Sequence, residues 1–355
     1  MKKIFIQVLT IVFILGGIET NNLSANSGFP PDTLIFGFYN LENLFDTIKD
    51  KVTDDAEFLP AAGWTSTRYK NKLSQLARVI DTLGGNEGPD LLGVCEAENQ
   101  QVLMALSQQP LLKDERYKVI GFPSADPRGI ETGLMFKQDK FKLVNAKYFR
   151  IFMPDSPQTK TRDILWVQLA LDAQTQLGVF VCHWPSRRGG EKAQTYRQFI
   201  GAKLKGIKDS LDKVYPGSVW MVMGDLNDEP SDISVKDKLG SSGDTALVNR
   251  NNLFYNPMAA LQDAGTGSHS YKNDWNMLDQ ILFSSKGLSD KSHLQYIWGS
   301  AEIWKPIWMQ STHADHKGNP YPTFAGKNYL GGFSDHYPVC IRMVLQKGKK
   351  MGQSQ

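Results

Sequence analysis

Six stretches of this chain join an apolar, β-favouring run to a carboxylate, amide or imidazole at its boundary, and no other feature restricts the fold as much. Residues 34–39 run into Asn40-Leu41-Glu42, 91–95 into Glu96, 178–182 into His183, and 218–223 through Gly224 into Asp225-Leu226-Asn227. Asp279 follows Leu278 inside another such run, and Ser334-Asp335-His336 leads into 337–341. Side chains two apart on a strand point the same way, so Asp225 and Asn227 can converge on one ligand. A carboxylate beside an amide suits a water that must lose a proton and be held still. Taken singly, each piece has a plainer meaning. An Asp after Gly is commonly a turn or a helix cap, and a buried His is commonly a hydrogen-bonded core residue. The plainer meaning does not explain why such residues recur, in order, where strand gives way to loop.

The segments between these runs complete the outline. Residues 68–83 are amphipathic, with Leu73, Leu76, Ile80 and Leu83 on one face and Gly84-Gly85 as the stop, which predicts a helix. Residues 194–211 predict a second. Strands are expected at 117–121, 132–136, 142–150, 165–171, 178–182, 278–283 and 337–344, with a short helical stretch after Asn227. Strands outnumber helices and often follow one another directly. That points to an α/β fold of two mixed β-sheets packed face to face with helices outside. A single domain, 34–346, holds all of it, because no Pro-, Gly- and Ser-rich linker divides it. Residues 26–33 form a short lead-in and 347–355 a basic polar tail.

Lys2-Lys3, the mostly apolar run 4–18 and the small residues Ser24 and Ala25 have the form of a secretory signal peptide over 1–25. The run falls short of the ~20 apolar residues of a spanning helix, and no Cys lies nearby to carry a lipid. The expectation is an exported protein, periplasmic or extracellular. Net charge is +3, and losing Lys2, Lys3 and Glu19 with the leader makes it +2. So balanced a chain lacks the broad basic footprint of a nucleic-acid binder. Cys95, Cys182 and Cys340 each lie in an apolar run. An odd count cannot pair completely, and buried free thiols are expected rather than disulfides or a nucleophile.

The ordered series resembles the endonuclease/exonuclease/phosphatase superfamily of metal-dependent phosphoesterases, over about 34–344. The segments that carry the resemblance are Phe38-Tyr39-Asn40-Leu41-Glu42-Asn43-Leu44-Phe45, Leu92-Gly93-Val94-Cys95-Glu96, Val181-Cys182-His183-Trp184-Pro185-Ser186, Gly224-Asp225-Leu226-Asn227-Asp228, Leu278-Asp279-Gln280-Ile281-Leu282 and Ser334-Asp335-His336. It implies a four-layer α/β sandwich and Mg²⁺, with Mn²⁺ as substitute, held by Glu96 with Asn40, Glu42 and Asp335. An all-oxygen donor set fits those ions better than zinc. By the same resemblance, Asp225 and Asn227 position the attacking water. His336, oriented by Asp279, is a general base or a donor to phosphate. His183 donates to a non-bridging oxygen or to the leaving group, Glu131 pairs with His183, and Arg162 contacts phosphate. The chain departs from the pattern at Glu42, where repair nucleases carry Asp. It also departs at Arg128-Gly129, where several nucleases carry a phosphate-contacting Tyr. On the loop after His183, Arg187 and Arg188 are expected to reach substrate phosphate.

The function implied is in-line hydrolysis of a phosphoester, with an endonuclease acting on DNA or RNA as the first reading. A phosphatase or phospholipase on sugar, inositol or lipid phosphates is the second, and a non-catalytic binding module the last. A monomer without an obligate protein partner is expected. The aromatic-rich stretch 298–332 either binds ligand over the site or simply packs down on the domain.

Overall fold

The computed structural model describes residues 29–51, 53–85 and 88–346. The leader at 1–25 and the tail at 347–355 lie outside the described residues. The chain divides into Met1–Pro30 and Pro31–Gln355. Of the first unit only Phe29 and Pro30 are described, and the fold that follows is that of the second. Among the described residues no helix is long and apolar enough to cross a membrane.

Strand Val219–Asp225 shows how the layers form. Val219, Met221 and Met223 join one apolar core while Trp220 and Val222 join another, so the strand is buried on both faces. Its unbroken apolar run follows from that double burial. It lies in a sheet ordered Lys142–Phe149, Ile164–Ala170, Gln176–His183, Val219–Asp225, Asp279–Ser284, Phe254–Tyr255 and Ser241–Ser242. The facing sheet runs Leu294–Tyr296, Val339–Leu345, Thr33–Leu44, Leu91–Ala97, Glu131–Lys137 and Tyr117–Gly121, with Glu302–Ile303 also paired to Val339–Leu345. Both sheets are mixed. Gln176–His183 is parallel to Val219–Asp225, and Thr33–Leu44 is parallel to Leu91–Ala97, while the flanking pairs are antiparallel.

Phe36, Phe38 and Leu134 of one sheet share a core with Val179, Val181, Met221, Met223 and Ile281 of the other. The sheets approach closely at Gly93, where a Cβ would lie 2.3 Å from Met223 Sδ. Helix Ser66–Thr82 buries Leu73, Leu76, Val79 and Ile80, and the Thr65 side chain caps it by accepting from the Arg68 N–H. Helix Gly190–Val214 lays Tyr196, Ile200, Leu204, Ile207 and Leu211 on Trp166, Phe180, Trp220 and Val222 of the other sheet. The four-layer α/β sandwich expected from the sequence is the observed architecture. Helix Gln100–Ser107 was not foreseen, because its eight residues make barely two turns and its start depends on the Asn99 side-chain cap. All three cysteines are free and buried.

Gly224 is required by close approach. A Cβ there would meet the Cys182 carbonyl oxygen at 2.4 Å, across the strand pair that ends in His183 and Asp225. Gly224→Ala should cost about 1–3 kcal/mol in denaturant unfolding. Gly206→Ala, in open space on helix Gly190–Val214, should instead gain up to ~1 kcal/mol. Equal effects at the two sites would contradict the packing described here.

Candidate active site

Strand register assembles the centre of the site. His183 and Asp225 are partners in the parallel pair, and Asp279 and Asp225 are partners in the antiparallel pair. Each lies two residues from an inward-facing core residue, namely Val181, Met223 and Ile281. The alternation that fills the core therefore turns these three polar groups toward the other sheet. From that sheet Asn40, two residues after Phe38, donates its Nδ2–H to Asp225 Oδ2 at 3.2 Å. His183 Nε2 lies 3.6 Å from Asp225 Oδ2 and 3.7 Å from Glu96 Oε1.

The turn after Asp225 is held by its own carboxylate, whose Oδ1 accepts the Asn227 N–H at 3.0 Å. The Asn227 Nδ2–H donates to the Trp184 carbonyl at 3.0 Å, and no described residue donates to Asn227 Oδ1. Asn227 and Glu96 both adopt left-handed backbone, with φ of 50° and 60°. Asn tolerates that conformation, whereas for Glu it costs of order ~1–3 kcal/mol and persists only where the surroundings impose it.

His336 enters from a loop. Its Nδ1–H donates to Asp279 Oδ2 at 2.6 Å, and its Nε2 lies 4.0 Å from Asp225 Oδ2. The Ser268 hydroxyl donates to the same Asp279 oxygen at 2.5 Å. Burial alone would depress the His336 imidazole, but Asp279, Asp335 and Asp225 outweigh it and hold the group well above its ordinary value. His183 is pushed well below by burial, with Arg162 and Arg128 adding to the effect, and is neutral at physiological pH. Burial raises Asp225 to about 7, with Asp279 and Glu96 pushing the same way and His336 opposing. Glu96 is likewise raised, by burial and then by Asp335.

These acids fit a divalent cation. Burial raises both Glu96 and Asp225, with Asp335 adding to the first and Asp279 and Glu96 to the second, so an added positive charge would let these neighbouring carboxyls ionise together. Glu96 and Asp335 offer carboxylate oxygens, whereas the Asn40 amide expected beside them is engaged, its Oδ1 accepting the Glu42 N–H at 3.0 Å and its Nδ2–H donating to Asp225.

Several expected site residues have other partners. The Glu42 carboxylate accepts from the backbone N–H of Thr323 at 2.6 Å and of Phe324 at 3.1 Å, and Lys72 Nζ lies 3.8 Å away. Glu42 thus anchors the 298–332 segment rather than offering free oxygens to a metal. Asp335 adds to the burial that raises its carboxyl, so Glu42 stays within reach of that acid's charge. Glu131 does not pair with His183. Its Oε1 accepts from the Ser124 N–H at 3.1 Å, while His183 Nδ1 has no partner. Glu131 lies beyond the register shift that separates Cys95 from Ala97, which displaces it from the Asp225 row. Arg162 is brought next to the site, donating to Asp126 Oδ2 and to the Trp184 carbonyl, both at 2.9 Å. Arg187 is not free for phosphate. Its guanidinium donates to the Asn227 carbonyl, Asn276 Oδ1 and Asp232 Oδ2, which braces the turn after Asp225. Arg188 stays exposed.

His269, absent from the sequence reading, stacks on His336 with ring centroids 4.6 Å apart, and the two share an isolated β-bridge. The signal for it is faint, a Ser-His pair whose His opens the three-residue strand His269–Tyr271. The aromatic segment packs down on the domain. Phe324 and Tyr329 sit against Trp64, Arg68 covers Tyr329, and the buried Lys72 donates to Thr323 Oγ1 and the Phe333 carbonyl.

A family model described as the endonuclease/exonuclease/phosphatase family matches residues 35–345. An endonuclease/exonuclease/phosphatase family protein from Bacteroides thetaiotaomicron superposes with a TM-score of 0.54 at 18% identity, covering 90% of this chain and 100% of that one. The human Nocturnin catalytic domain gives 0.52 at 18%, covering 88% and 95%. A Bacteroides thetaiotaomicron mannosyl-6-phosphatase gives 0.51 at 16%, covering 88% and 100%. At these identities the likeness concerns the fold. A search of curated proteins returns no match.

Burial raises Glu131 from 4.5 to about 8. Between those values the folded protein keeps a proton that the unfolded chain releases, so this group lowers stability as pH rises through that window. Glu131→Gln, which preserves the acceptor for Ser124, should match the parent near pH 4 and exceed it near pH 9 by about 1 kcal/mol or more. Unfolding curves at the two pH values decide it, and an offset that does not change with pH would count against the buried, protonated acid.

Proposed function

The chain belongs to the endonuclease/exonuclease/phosphatase family, and we propose that within it the protein is an exported, Mg²⁺-dependent phosphodiesterase that acts first on nucleic acid. One observation carries the chemistry: Asp225 is 2% exposed, receives the Asn40 amide, and has two imidazoles within 4.0 Å. A carboxylate held near neutrality suits proton abstraction from water. In this reading Asp225 takes the proton as the water oxygen bonds to phosphorus, and the Asn227 Oδ1 orients that water. His336 carries a proton already, so it serves as a donor to a non-bridging phosphoryl oxygen, with Asp279 and Ser268 fixing its ring. Neutral His183 stands beside Glu96 and donates to another phosphoryl oxygen. The ester oxygen leaves as its bond to phosphorus breaks and takes its proton from solvent. Bound at Glu96 and Asp335, a divalent cation would offset the charge that develops on the phosphoryl group.

Export rests on Lys2-Lys3, the apolar run and Ala25, and N-terminal sequencing of the secreted protein tests it. The near-balanced charge of +3 favours a second reading, hydrolysis of a small sugar or lipid phosphate.

Asp225→Asn keeps the shape of the hub and removes the base. Hydrolysis of plasmid DNA, or of a chromogenic diester and monoester panel with Mg²⁺, should fall by ~10²–10⁴. The melting temperature should not fall, because a buried acid among acids is gone. Activity within about tenfold of the parent would remove Asp225 from the chemistry. Cleavage confined to monoesters would move the protein to the second reading.

A further inference from the structure

A cavity of about 350 Å³ lies beside the reaction centre, lined by Arg128, Lys160, Arg162, Ser186, Lys192 and Tyr196 among others. Four of these six are cations. Asp126 pairs with Arg162 at 2.9 Å and with Arg128 at 3.5 Å. Lys160 and Lys192 form no ion pair among the described residues, so positive charge is in excess. The Arg162 side chain is 9% exposed, yet its Nε–H has no partner. A buried guanidinium N–H left unbonded is costly unless a ligand completes it.

One backbone oxygen links the cavity's Arg162 to the centre. The Trp184 carbonyl accepts from Arg162 Nη2 at 2.9 Å and from Asn227 Nδ2 at 3.0 Å. The charges of Arg128 and Arg162 also reach His183 and Glu96, favouring the neutral imidazole and the ionised carboxylate. A group in the cavity would therefore meet the Arg162 side of the centre.

We propose that this cavity seats a terminal phosphate monoester of the substrate, adjacent to the ester that is cleaved, and that Lys160 and Lys192 select for it. The proposal rests on the phosphoesterase reading and narrows its substrate class. A monoester carries ≈ −1.5 to −2 charges at neutral pH, which matches a surplus of cations better than the single charge of an internal diester does. The unpartnered Arg162 Nε–H and the Ser186 hydroxyl supply directional donors. Lys192 Nζ stands 5.4 Å from the Tyr196 ring centroid, which places an aromatic face next to the charge for an attached sugar or base. The volume is at the small end of ligand cavities and suits one phosphorylated unit, not a duplex.

The test uses the full chain and Lys160→Ala/Lys192→Ala, neither residue belonging to the catalytic set. Rates are measured on thymidylyl-thymidine bearing a 5′ phosphate, a 3′ phosphate or none. One phosphorylated form should show kcat/KM ~10-fold or more above the unphosphorylated dinucleotide, the size of one lost charge-assisted contact. In the double variant that preference should vanish, with the unphosphorylated rate unchanged within about twofold. Equal rates on all three substrates, or a preference that survives the variant, would overturn the proposal. Calorimetry with thymidine 3′,5′-bisphosphate against thymidine 5′-monophosphate gives a readout independent of turnover. Tighter bisphosphate binding that depends on the two lysines supports the cavity even if no dinucleotide is cleaved, a failure that would count against the phosphodiesterase reading instead. Equal binding of the two nucleotides counts against the cavity.

Discussion

The site depends on keeping the Asp225 carboxylate buried where the two sheets meet. Removing such a group from water is costly unless hydrogen bonds replace the water. Here the replacements come from the facing sheet and from the adjoining turn: the Asn40 amide from one side and the Asn227 N–H from the other. The close approach at Gly224 sets His183 level with Asp225, and strand register sets Asp279 level with it on the opposite side. The packing of the apolar core and the spacing of the polar row are thus one geometric fact. A methyl group in the wrong place disturbs both.

A second layer of contacts keeps the polar row in place. Asp279 and Ser268 hold the His336 ring, and Arg187 ties the turn after Asp225 to Asn276 and Asp232. Glu42 and Lys72 fasten the 298–332 segment by its backbone. Burial raises Glu42 to about 7 and lowers Lys72 to about 8, so each is easier to neutralise than its free counterpart, while four hydrogen bonds to Thr323, Phe324 and Phe333 keep the strap attached. Charged residues that look catalytic in the sequence are in several cases structural supports for those that face the substrate.

The sequence showed most of the fold, because period-two alternation in a strand buried on both faces leaves an apolar run with a polar residue at its end. Val219 to Asp225 and Gln176 to His183 were legible for that reason. The errors cluster where the backbone breaks the alternation. Register shifts lie between Asn40 and Leu44 and between Cys95 and Ala97, and Glu42 and Glu96 there take φ of 49° and 60°. A one-residue irregularity changes the face on which later side chains appear, and Glu42, expected at the metal, and Glu131, expected against His183, instead accept from the backbone of Thr323 and Phe324 and of Ser124. Arg187 was misjudged for another reason, since its partners Asn276 and Asp232 are distant in sequence. His269 was missed because a short edge strand carries too few residues to show a period.

The central claim is that the acids around Asp225 are arranged for a divalent cation beside Glu96 and Asp335. A crystal soaked in Mn²⁺ near pH 8, with anomalous scattering measured at the manganese edge, tests it most directly. The account requires an anomalous peak in contact with Glu96 and Asp335, next to the Asp225 row. No peak where these acids converge would contradict it.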